Sequence, residues 1–166
     1  HELCHEGTMS TTSPVSSRQE GKQPEWIDTI PPKVKEIFVR AVRAHSAGNY
    51  EEAVALYSMA LSQLPDDPVL LGNLGVALRA QDKFKAAESC YRRAIAVNAD
   101  SPGAWSNLGN VLRRLGQLKE SVSCHRRAIE LDRKFIDAYY NLGLVLQDLG
   151  KLDESIRLFN YCLKFK

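Results

Sequence analysis

The sequence predicts an all-α solenoid of four helical hairpins. Two observations carry that expectation. A short segment recurs at a fixed 34-residue step: Leu71-Gly72-Asn73-Leu74-Gly75, then Trp105-Ser106-Asn107-Leu108-Gly109, then Tyr139-Tyr140-Asn141-Leu142-Gly143. Each step also holds two apolar stripes at helical spacing, with a chain-breaking residue between them. Self-similarity at one period of this size means stacked units, each hiding its apolar face behind the next.

The elements follow in order. Trp26, Ile27 and Ile30 form a small apolar cluster ahead of Pro31-Pro32 and are expected to cover the first helix. An imperfect first copy carries Ile37, Ala41, Gly48, Ala53, Tyr57, Ala60 and Pro65 in the common register. In the second copy, Leu71, Leu74 and Leu78 share one helix face, and Ala87, Tyr91, Ala94 and Ile95 share a face of the next helix. The register continues through Leu112 and Leu146, and through Ala128, Ile129, Cys162 and Leu163. Gly48, Asp82, Gly116 and Gly150 mark the turns inside each unit. Asp67-Pro68 and Ser101-Pro102 read as helix starts, a side-chain cap followed by proline in the first turn. Glu51, Glu52, Glu120, Asp153 and Glu154 fall in first turns of second helices, where the helix dipole favours acids. Small residues, Gly75 with Ala94 and Gly109 with Ala128, are expected to let paired helices approach. The predicted helices span 33–46, 51–63, 68–81, 85–97, 102–115, 119–131, 136–149 and 153–165.

The expected organisation is a disordered tail over 1–24, a lead-in turn over 25–33, and units at 34–67, 68–101, 102–135 and 136–166. The tail has seven Ser or Thr and few large apolar side chains, too little to offset its ordering entropy. Met9 looks like a natural start, which would make His1–Thr8 an addition.

The pattern W-x2-L-G-x2-Y, then A-x3-F, then A, resembles the tetratricopeptide repeat. Trp105, Leu108, Gly109 and Leu112 carry its first half, and Ala87, Tyr91 and Ala94 its second. Arg40, His125 and Arg133 depart from it. The resemblance implies a right-handed superhelix whose first helices line a concave side, and a non-catalytic scaffold that binds a peptide or protein segment there. It implies no cofactor.

Asn73, Asn107 and Asn141 are the sharpest candidate residues. Each sits one step, about 100°, from a buried leucine, and so at the edge of the apolar stripe. The resemblance puts that edge on the concave groove. Packed helices lie roughly 8–10 Å apart, close to three residues of extended peptide at about 3.3 Å each. An amide both donates and accepts, so it can hold a peptide backbone without reading side chains. This series is similar to the repeat arms of protein O-GlcNAc transferases and their bacterial relatives. That likeness implies an alternative role, the substrate-targeting arm of a larger transferase. Arg79, Arg113 and Gln147 are expected to add selectivity, with Ser106, Asn110, Tyr140 and Leu144 lining the same surface. The dicarboxylate clamp of some relatives is not matched, because Phe38, Val42 and Gly103 fill its basic and amide places.

Other chemistry is weaker. His1-Glu2-Leu3-Cys4-His5 matches H-E-x-x-H, but it opens the chain and leads into a Ser/Thr-rich segment with no convincing third ligand. No catalytic or metal-binding residue is therefore assigned. His45 is expected to complement a helix C-terminus, and His125 to be structural. Cys90 and Cys124 are expected to be free thiols and Cys162 to be buried packing in place of an alanine, and few scattered cysteines suit a reducing, cytoplasmic setting. A net charge of +2 on 166 residues lacks the footprint of a nucleic-acid binder, so the arginine pairs 92–93 and 126–127 read as a solvated face. No stretch is apolar enough for a membrane span. The last unit is expected to leave parts of Tyr139, Leu142, Leu146 and Phe159 uncovered, and so to invite self-association.

Overall fold

A computed structural model describes residues 25–165. It contains a 3₁₀ turn at Glu25–Asp28 and eight α-helices among the described residues: α1 Pro32–Ser46, α2 Tyr50–Gln63, α3 Pro68–Ala80, α4 Phe84–Val97, α5 Pro102–Arg114, α6 Leu118–Leu131, α7 Ile136–Asp148 and α8 Leu152–Leu163. The sequence placed every one of them to within two residues at either end. The H-E-x-x-H residues and the Ser/Thr-rich tail lie outside the described residues, as does the Trp26 side chain. Ile27 is buried and Ile30 half-buried against the core that holds Val34, Ile37 and Phe38. Lys35 Nζ ties the turn to α1 by donating to Asp28 Oδ1 at 2.9 Å.

The helix ends are set locally. Asp67 Oδ1 accepts from the N–H groups of Val69 and Leu70, at 3.0 and 2.9 Å. Ser101 Oγ accepts from Ala104 N at 3.3 Å. Asn49 caps α2 through Glu52 N, while its amide donates to the Glu52 carboxylate. These bonds satisfy donors that the first helical turn leaves unpaired. Between α1 and α2, α5 and α6, and α7 and α8, a glycine with φ near +75° reverses the chain. In α3–α4 that position is Asp82, with φ 58°. All four turns close alike. Lys83 N, for example, donates to Leu78 O, and Gln117 N to Leu112 O. Asp82→Gly should therefore stabilise the fold by roughly 0.5–1 kcal/mol, because glycine enters the left-handed region without a Cβ penalty. Urea denaturation measures it; no gain would mean that Asp82 already relieves the strain through its side chain.

Each helix packs on the next in sequence, and the first helices α3, α5 and α7 also approach one another. The repeat recurs in side-chain bonds. Trp105 Nε1 donates to Ala99 O at 2.7 Å, and Tyr139 OH, 34 residues on, donates to Arg133 O at 3.2 Å. Ser121 Oγ donates to Gly109 O at 2.6 Å, and Ser155 Oγ to Gly143 O at 2.8 Å. The close approach within each hairpin differs from the one expected. A Cβ on Gly75, Gly109 or Gly143 would first meet the rings of Tyr91, His125 or Phe159, not the alanines. The glycine faces an aromatic side chain sixteen residues on, and that ring fills the gap.

Two expectations are corrected by burial. His45 is buried, with its ring edge-on to Tyr50 and Tyr57 at 5.5 and 6.2 Å. It packs inside the hairpin in the last turn of α1 instead of meeting solvent. The expected uncovered face of the last hairpin is met at two of its four residues. Leu142 and Leu146 are buried, because α7 is sandwiched between α6 and α8. Tyr139 and Phe159 are half-buried. In the last hairpin the most exposed apolar side chains are Leu152, Ile156 and Leu163 of α8 and Phe165 just after it.

Candidate binding groove

The first helices present their accessible residues as stripes. On α5 these are Gly103, Asn107 and Asn110, half-buried, and Arg114, exposed, spaced i, i+4, i+7, i+11. On α7, Tyr140 and Gln147 are exposed, with Asn141 and Leu144 half-buried beside them. On α3 the corresponding stripe is closed: Asn73 is 1% exposed and Val76 5%. The three asparagines are equivalent in register and unequal in access. Asn73 is therefore not a groove-lining residue, because register fixes an angle on the helix and not the side chains around it. Arg79 is half-buried near the end of α3.

Asn107 makes no side-chain hydrogen bond to any described residue. Asn141 does. Its Nδ2 donates to Ser106 Oγ at 3.5 Å, and Ser106 Oγ lies 3.5 Å from His125 Nδ1. Ser106 was expected on the surface and is buried, closed over by Asn141 of the next hairpin and by His125 of its own. Ser106 Oγ can accept from Asn141 Nδ2 and share a second hydrogen bond with His125 Nδ1, in the direction that the histidine tautomer sets. Burial, reinforced by the positive charge of Arg113, pushes the His125 pKa down to about 4, so the ring is neutral at pH 7.

Arg113 is not a free selectivity residue. Its Nε donates to Asp148 Oδ2 at 2.5 Å and its Nη2 to Asp148 Oδ1 at 3.3 Å, a two-point pair joining α5 to α7 at one end of the groove. Sequence reasoning missed Asp148; the signal was an acid at the position that holds Arg114 and Ala80 in the preceding units. Arg114 instead lies over the Phe84 ring, 4.6 Å from its centroid.

The remaining candidates are structural. Arg92 pairs with Glu88 and with Glu120 of the next hairpin, both at 2.9 Å, and Arg93 donates to Pro65 O at 2.7 Å. These cations brace the outer face. Cys90 and Cys124 are free and buried, and burial pushes the Cys124 thiol up to about 11, so it stays protonated. Cys162 is half-buried. Among the described residues no group of His, Cys, Asp or Glu could hold a metal ion. None of the described helices is long and apolar enough to cross a membrane.

Comparison with known proteins bears on the fold. Tetratricopeptide repeat profiles match residues 44–110 and 136–166, and a TPR repeat profile matches 109–150. No curated protein sequence matches. Among solved structures, MamA is similar at 23% identity and TM-score 0.74, over 84% of this chain and 81% of that one. The first TPR of Spaghetti (RPAP3), bound to the HSP90 peptide SRMEEVD, is similar at 28% identity and TM-score 0.69, over 71% and 94%. The Sgt2 TPR domain from Aspergillus fumigatus is similar at 22% identity and TM-score 0.69, over 74% and 83%.

Proposed function

Because this chain belongs to the tetratricopeptide repeat family, we propose that it is a non-catalytic scaffold holding an extended peptide or protein segment against α5 and α7. The observation that carries the reading is Asn107. A helix-interior asparagine is a poor helix former. This one lies on the accessible stripe of α5 with its amide unbonded to any described residue. Asn110 on the same helix and Tyr140, Asn141, Leu144 and Gln147 on α7 are also at least partly accessible, a mixed polar and apolar set. The peptide-bound RPAP3 domain supports a peptide as the class of partner. The basic and amide places of a carboxylate clamp are absent here, so the proposed contact is to backbone. The likeness to transferase arms rests on the asparagine series alone. With Asn73 buried, that series shortens to two amides, and the scaffold reading stands without a catalytic partner.

Selection from a random peptide library on the full chain, followed by titration, tests this. Asn107→Ala should weaken a selected peptide about fivefold, the loss of one net hydrogen bond of roughly 1 kcal/mol, and leave the melting temperature unchanged. N-methylation of the contacted peptide bond should give a similar loss. If melting falls while affinity holds, the asparagine serves the stack and the groove reading fails.

A further inference from the structure

We propose that Arg79 and Arg114 form a site for a carboxylate, supplied by an aspartate or glutamate side chain of the segment held in the groove. The inference rests on the groove reading and adds a charge requirement to it. Its template is the next pair of first helices. There Arg113 of α5 meets Asp148 of α7 through both Nε and Nη2. One repeat of 34 residues earlier, the same two positions hold Arg79 of α3 and Arg114 of α5. An arginine thus stands where an acid receives Arg113 in the following unit.

Contacts bring the two arginines to one place. Arg114 Nη2 reaches back from α5 to within 3.8 Å of Asp82 Oδ1, in the turn that follows α3. Asp82 N in turn donates to Arg79 O at 3.0 Å. Burial raises the Tyr91 phenol and the positive charge of Arg79 acts against it, just as Arg113 acts on the buried His125. Each arginine therefore lies beside the buried ring of its own hairpin. The Arg79 side chain is half-buried and forms no hydrogen bond or ion pair with a described residue. The long contact to Asp82 is the one ion pair that Arg114 makes with a described residue, and both side chains are mostly exposed. The last turns of α3 and α5 favour cations, which lets two of them stand close. Two planar guanidinium groups then present a net positive site whose forks match a carboxylate. Arg114 also ends the accessible stripe of α5 that carries Asn107 and Asn110. Asn107 and Arg114 are seven residues apart, or about 10 Å along the helix, the length of about three residues of extended peptide. The acid therefore falls about three residues from the peptide group at Asn107. These positions are separate from Phe38, Val42 and Gly103, which fill the places of the dicarboxylate clamp.

Peptides selected on the full chain from a random library should carry Asp or Glu at that offset from the peptide bond whose N-methylation weakens binding. Replacing the acid by its amide should weaken binding about tenfold in the parent, and hardly at all in a variant carrying Arg79→Gln and Arg114→Gln. Arg127→Gln, on the outer face, should leave the acid preference unchanged. The facing of the two side chains is tested without a peptide. In urea, Arg79→Gln should cost more stability in an Arg114→Asp background than in the parent, because an unlike pair replaces like charges. Equal costs would show that the side chains do not face each other and would overturn the site. Binders that need Asn107 but tolerate the amide, or that lose equally in parent and variant, would overturn this proposal and leave the groove reading intact. Binders that need the acid and both arginines but ignore Asn107→Ala would support the site and overturn the contact at Asn107. A library that yields no binder would overturn both.

Discussion

Between pH 7 and pH 5 the chain should lose about 2 kcal/mol of stability through His125 alone. The unfolded imidazole has the ordinary value of 6.5, and the folded one about 4. Above 6.5 both states are neutral and the histidine contributes no pH dependence. As the pH falls through 6.5 the unfolded chain takes up a proton that the folded chain refuses, so stability drops at about 1.4 kcal/mol per unit. The loss saturates near pH 4, at roughly 3 kcal/mol. The folded state refuses the proton because the ring is fully buried and Arg113 stands near it. Phe159 occupies the equivalent place in the next unit, so His125→Phe keeps the packing and removes the titration. Urea unfolding at pH 7, 6 and 5 should show the loss in the parent and a nearly flat response in the variant. Parallel slopes would assign the acid sensitivity to another group.

The second large effect is a contrast between two glycines on one helix. At Gly75 a Cβ would sit 2.7 Å from Cε1 and Cζ of Tyr91, a ring with no solvent exposure and no room to retreat. At Gly72, one turn earlier on α3, a Cβ would meet nothing within 4 Å. Gly72→Ala should stabilise by about 1 kcal/mol through helix propensity. Gly75→Ala gains the same propensity and still should destabilise by about 1–2 kcal/mol net, because overpacking a closed core costs about 1–3 kcal/mol. The two variants should therefore move the denaturation midpoint in opposite directions. Pairing Gly75→Ala with Tyr91→Leu should recover part of the loss, which a backbone effect at Gly75 would not allow. The first hairpin carries Ala41 at the register of Gly75. A methyl is thus compatible with the architecture when the helices are set for it, and the cost at Gly75 is one of local fit.

Much of the candidate groove was legible and part of it was misread, for one reason. Register put Asn107 and Asn141 at the edge of the apolar stripe and the family resemblance put that edge, with Asn110, Tyr140 and Leu144, on the groove; all five are at least partly accessible. Asn73 and Ser106 were placed by the same rule and are buried. Register is a property of one helix, whereas burial at Ser106 depends on Asn141 from the following unit and His125 from its own. Arg113 was read as a free cation because Asp148, its partner, lies 35 residues away and is unlike its own equivalents in the earlier units.

The sequence by itself determined the eight helices, their ends and the order of stacking. Those features rest on local physics: caps at Asp67 and Ser101, left-handed turns at Gly48, Gly116 and Gly150, and apolar periodicity repeated every 34 residues. Tertiary structure decided which of the repeated side chains meet solvent and which meet one another. A repeat fixes the scaffold because every unit solves the same packing problem. It leaves the surface open, because the neighbours that cover a residue come from units that are no longer identical.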